Sequence, residues 1–131
     1  MAAVRPLVVW LFAVLALGAC DEPPDETEAA IRSAPPERTF KGALAGKPVH
    51  LVLHDCKLYA VNAQGRRKIG WAKLVEPDPY PFFTYCERQK LWEEKGTVRV
   101  TLGRIAFGAG GCCATGGTWR SSDGREWIRE P

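Results

Sequence analysis

Beyond its N-terminus this sequence has no long apolar run. No later segment approaches the roughly 20 apolar residues that a membrane-spanning helix needs. Histidine is scarce: there are two, His50 and His54. If they lie on one strand, four residues separate them by about 13 Å. That is too far to share a metal, so both are expected to be solvated surface side chains. There is no Cys-x-x-Cys, no serine in a nucleophile-elbow pattern and no paired catalytic constellation, which argues against a zinc site, a thiol-disulfide motif or a serine hydrolase. No catalytic residue, metal or cofactor is assigned.

Glycine and proline are plentiful, 13 and 10 in 131 residues. They favour turns over long helices, and the length suits one domain. The net charge of +3 conceals an asymmetry. Residues 21–38 carry six acids and two bases, whereas 39–131 carry 15 bases and nine acids. An acidic stretch therefore precedes a mildly basic domain.

The first nineteen residues read as an export signal: Arg5, an apolar core of eleven residues from Leu7 to Leu17, then small residues. Leu17-Gly18-Ala19-Cys20 resembles the lipobox of bacterial lipoproteins. The resemblance implies cleavage before Cys20, diacylation of its thiol and a membrane anchor through that lipid. Asp21 then favours retention at the inner membrane, with the outer membrane as the alternative. A plain secretory signal cut near Ala19 is the other reading. Residues 20–38, with Pro23-Pro24 and Pro35-Pro36, read as an extended, disordered tether. The alternative is a short helix from Asp25 to Arg32, whose early acids suit a helix N-terminus.

The domain is expected over residues 39–131. Val49 to Leu53 alternates, with Val49, Leu51 and Leu53 on one face and His50, Val52 and His54 on the other. A tight connection at Asp55-Cys56 leads to a returning strand, Leu58 to Val61. A turn at Asn62 to Gly65 leads to a third, Arg66 to Leu74. Pro77, Pro79 and Pro81 exclude a central strand, and the aromatics Phe82, Phe83 and Tyr85 are expected to pack that loop down. Glu87 to Lys95 suits one or two helical turns before Gly96. Thr97 to Leu102 is the clearest strand, with Val98, Val100 and Leu102 inward. Ile105 to Phe107 reads as a separate short strand, and Ser121 to Gly124 as the turn of a last hairpin. The fold class is mostly β: a small disulfide-tied antiparallel barrel or sandwich of about seven short strands.

With Cys20 lipidated, Cys56, Cys86, Cys112 and Cys113 remain, an even number that reads as two disulfides in an exported domain. Joining Cys112 to Cys113 would close a strained vicinal ring. The expected pairings are therefore Cys56 and Cys86 each to one of the vicinal pair, and Gly108 to Gly117 becomes the knot of the fold. A metal or redox site at Cys112 and Cys113 is a third-ranked alternative.

Ser121-Ser122-Asp123-Gly124-Arg125-Glu126-Trp127 resembles the Asp-box hairpin of sialidase-like propellers, one residue short between Asp and Gly. The resemblance implies a structural role alone: Asp123 bracing the turn and Trp127 packing beneath it. One copy cannot make a propeller.

For binding, the basic turn Arg66-Arg67-Lys68 and Trp119 are the candidates. A solvated turn and a buried tryptophan are the simpler readings. In overall plan only, the chain is similar to small lysozyme inhibitors and lipoprotein immunity proteins: anchor, tether, compact disulfide-tied domain. The plan implies a protein-binding or inhibitory lipoprotein with a periplasmic or envelope protein as partner. A structural or assembly lipoprotein of an envelope complex is the alternative. Nucleic acid is not expected as a partner of an exported domain with so modest a charge.

Overall fold

A computed structural model describes residues 25–63, 68–107 and 114–131. The described residues hold one short helix, α1 (Glu26–Arg32), a 3-10 turn (Pro36–Arg38) and eight strands. These are β1 (Thr39–Leu44), β2 (Lys47–His54), β3 (Lys57–Ala63), β4 (Ile69–Val75), β5 (Thr84–Glu94), β6 (Thr97–Ala106), β7 (Thr115–Ser121) and β8 (Ile128–Arg129). They form two four-stranded antiparallel meanders, β1-β2-β3-β4 and β5-β6-β7-β8. The sheets do not close into a barrel. Leu44, Leu51, Leu53, Leu58 and Val75 of the first sheet share one buried cluster with Val98, Val100, Leu102 and Trp119 of the second. The molecule is therefore a β-sandwich.

The alternation read from β2 and β6 is the alternation found: Leu51, Leu53, Val98, Val100 and Leu102 are essentially without exposed surface. Val52 points to the other face of its sheet and is also fully buried, because α1 lies there. Ile31 of the helix packs with Val52, Tyr59 and Val61 in a second cluster. Asp25 caps α1, its carboxylate accepting from Thr27 N at 3.0 Å. The helix alternative thus holds for residues 26–32, which do not form an extended tether. One apolar side chain on a short acidic helix is enough to dock it on a sheet face that would otherwise expose Val52.

Three two-residue hairpin turns have both residues at positive φ: Ala45-Gly46, Asp55-Cys56 and Lys95-Gly96. Such turns match the right-handed twist of the flanking strands. The tight connection at Asp55-Cys56 is as expected.

Three expectations are corrected. Residues 87–94 lie within β5 and are not helical. Their helix-favouring composition is overridden by pairing with β6 along the whole strand. A bulge between Cys86 and Arg88 shifts the phase of that strand, which hides its alternation in the sequence. Ile105 and Ala106 are the end of β6, not a separate strand. β1, unanticipated, pairs with β2 from Thr39 to Leu44.

The disulfide is Cys56–Cys86, with Cα atoms 5.4 Å apart. This overturns both expected pairings. The β2–β3 turn of one sheet lies against the start of β5 in the other, so these two cysteines meet directly. Gln89 adds a second tie between the sheets, its Oε1 accepting from Cys56 N at 3.1 Å. Cys112 and Cys113, with residues 108–113 of the knot expected over Gly108 to Gly117, lie outside the described residues; its last three residues, Thr115 to Gly117, begin β7.

Candidate functional site

The sandwich has two distinct ends. At one, β2 begins and β3 finishes. Here the first sheet carries small side chains on both faces: Gly42 and Ala60 lie on the face of Leu51, Ala43 and Ala63 on that of His50. A groove of about 890 Å³ at this edge is lined by them and by Lys41, Pro48, Val49, His50, Val61, Asn62, Gly124 and Arg125. No carboxylate is among the residues that line it. Lys41 and Arg125 give it a positive lining, which favours an acidic ligand.

Two tight turns form its rim. Ala45-Gly46 is the first. The second is the Ser121–Trp127 turn, held by a small network. Asp123 Oδ1 accepts from Arg125 N at 2.8 Å and Glu126 N at 2.9 Å. Ser121 Oγ donates to the same oxygen at 3.0 Å and accepts from Gly124 N at 2.8 Å. Trp127 Nε1 donates to Gly124 O at 3.3 Å, and its ring packs against the core. Gly124 sits at φ +79°, and a Cβ there would lie 2.9 Å from Val49 Cγ1. Glycine is required because the turn rests directly on β2.

His50 is the titratable group of the groove nearest neutrality. Partial burial, and then the positive charge of Lys41, hold its pKa below the usual 6.5. It is mostly neutral at physiological pH, and a carboxylate placed beside it would favour the charged form. His54 lies on the same face of β2, towards the other end of the strand.

The other end carries the disulfide. Arg104 fastens it: Nε donates to Thr84 Oγ1 at 2.8 Å, and a terminal nitrogen donates to Asp55 O at 3.0 Å. Arg129 lies over the Trp119 ring at 5.2 Å and pairs with Asp78 at 3.1 Å. Arg129 also donates to Gly116 O.

The sequence-derived candidates are scattered. Lys68 is exposed and precedes Ile69, the partner of Ala63, which places it at the groove's end of the sheet. Arg66 and Arg67 adjoin it in sequence and lie outside the described residues, as does Cys20. Trp119 belongs to the core at 9% exposure, with Arg129 over its ring, so it offers little surface to a partner. Among the described residues no three His, Cys, Asp or Glu side chains converge as metal ligands, and no helix is long and apolar enough to cross a membrane. Sequence reading missed the groove. Its one local signal is the run of small residues in β1 and β3.

The fold and its ends define a class: a two-sheet antiparallel sandwich, tied between the sheets by Cys56–Cys86, with a cationic groove at the far end. Comparison with protein-family models, with curated proteins and with solved structures finds no match.

Proposed function

We propose that this chain is a membrane-anchored envelope lipoprotein, lipidated at Cys20, whose sandwich is a protein-binding module. Its groove takes an acidic segment of a periplasmic or envelope protein. The observation that carries this reading is the groove itself: Lys41, His50 and Arg125 line it without a carboxylate. Preorganisation supports it further. The Ser121–Trp127 rim turn is braced by its own hydrogen bonds, so less entropy remains to be lost on binding. The plan of anchor and rigid module is similar to that of lipoproteins that inhibit or neutralise a partner enzyme by occupying its surface.

The test is site-specific photo-cross-linking in intact cells, from Ala43 in the groove and from Arg120 on the outer face of the second sheet. The expected outcome is one envelope protein captured from position 43 and not from 120, with capture lost when Lys41→Glu and Arg125→Glu are combined. Capture that survives the charge reversal, or that is equal from both positions, overturns the groove as the site. Several subunits of one membrane complex captured from both positions would instead favour the assembly role.

A further inference from the structure

The disulfide end bears an aromatic cluster that is exposed among the described residues. Phe82 and Phe83, in the loop from β4 to β5, are 73% and 86% exposed, and Phe107, after β6, is 67% exposed. Tyr80 and Tyr85 complete the group: Tyr80 meets Phe82 with ring centroids 5.9 Å apart, and Tyr85 meets Phe107 at 5.1 Å. Phe107 N donates to Phe83 O at 3.1 Å, which binds the two segments. The sequence suggests that these rings pack the loop down; they stand in solvent instead. The disulfide and Arg104 already hold the loop, so the rings are not needed for that. Single exposed aromatics are ordinary, but a contiguous group marks an interaction surface.

The chain enters the sandwich at this same end. Thr27, in the first turn of α1, lies beside Tyr59, whose hydroxyl is also near Lys73, Asp55 and Glu76. Glu76 shares a hollow with Cys56 and Tyr80. Only four residues separate Cys20 from Asp25, the helix cap, and at full extension the five steps between them reach about 18 Å. An anchor at Cys20 therefore leaves the aromatic end within reach of the lipid surface. The acids around the rings are paired with cations: Asp55 with Arg104 and Lys57, Glu76 with Lys73, and Asp78 with Arg129. That pairing removes much of the repulsion a headgroup layer would meet. Aromatic rings favour the boundary between headgroups and acyl chains.

We propose that Phe82, Phe83 and Phe107 insert into the headgroup region of the bilayer that holds Cys20, so that the sandwich stands on its disulfide end. The groove then faces away from the membrane, towards the other end of β2, which lies about 23 Å off for seven steps of 3.3 Å each. This inference rests on the lipoprotein reading above.

The test uses the mature, lipid-bearing protein reconstituted in phosphatidylcholine vesicles with brominated acyl chains. Two variants are compared with the parent: Phe83→Trp, and Lys95→Trp in the turn at the opposite end of β5. The fluorescence added by Phe83→Trp should be quenched at least twofold and blue-shifted, while that added by Lys95→Trp should be unchanged. Phe83 is too exposed for its replacement to disturb folding, and circular dichroism checks this. Protein that carries lipid by intact mass and floats with the vesicles, yet shows an unquenched tryptophan at 83, overturns the docking alone. If position 83 is unquenched but cross-links to another protein in cells, the cluster is a protein-docking surface and the proposal fails. If Cys20 carries no lipid, the lipoprotein reading falls and takes the docking with it.

Discussion

Asp123 shows how much of a hairpin can hang on one oxygen. Its Oδ1 accepts two backbone N–H groups and the Ser121 hydroxyl, and these turn the chain where β7 ends. The N–H of Arg125 and then that of Glu126 favour the charged form and hold its pKa below the usual 3.8. On acidification the unfolded chain therefore takes up the proton first. The stabilisation is complete above pH 3.8 and is lost as pH falls through the lower folded value. Asp123→Asn should be less stable at neutral pH and should lose less stability below pH 4 than the parent. Urea unfolding at a series of pH values checks this, and identical acid limbs would show that the carboxylate is not coupled to folding. Glycine has the same local weight at Gly116, where a Cβ would lie 2.6 Å from Leu102 O. That clash explains why β7 can lie so close to β6 only with glycine there.

At the scale of elements, the hairpins carry the design. Lys95 occupies a left-handed position, φ +52°, ahead of Gly96 at +78°. Asparagine tolerates that region better than lysine, and Asn-Gly is the preferred pair for such a turn. Lys95→Asn should therefore stabilise the protein by about 0.5–1 kcal/mol, read as a shift in the urea midpoint without a change of slope. No gain would mean that the strained backbone is already compensated locally, for instance by Glu93 Oε1 accepting from Gly96 N. Elements with clean alternation, β2 and β6, were legible in the sequence because one buried face demands period two. β5 was not. Its bulge breaks the period and its Glu, Arg, Gln and Lys residues favour helix, so only the long pairing with β6 settles its state. For the groove, the sequence offered only Gly42, Ala43, Ala60 and Ala63 as small residues; that all four fall at one edge of the sheet depends on the register of three strands.

At the scale of the whole molecule, the disulfide joins the two sheets. Cys56 and Cys86 are 30 residues apart, and closing such a loop stabilises the fold by about 3–4 kcal/mol in the chain-entropy model. Replacing both with alanine should lower the unfolding free energy by about that amount. A non-reduced digest of the native protein should yield a peptide pair holding Cys56 and Cys86. Recovery of either cysteine joined to Cys112 or Cys113 would overturn the pairing described here.

Local chemistry alone decided a good deal in this protein: a mostly β domain, the inward faces of β2 and β6, the turns at Asp55-Cys56 and Ser121–Gly124, and the exclusion of Pro77 to Pro81 from a strand. Each depends on the φ preferences and alternation of residues close in sequence. The partner of Cys56, the strand state of β5, the burial of Val52 beneath α1, the cationic groove and the solvent-facing aromatics were decided only when the sheets met. All of these depend on distances between residues far apart in the chain, and those distances follow from register and layer packing, which the spacing of residues along the sequence does not encode.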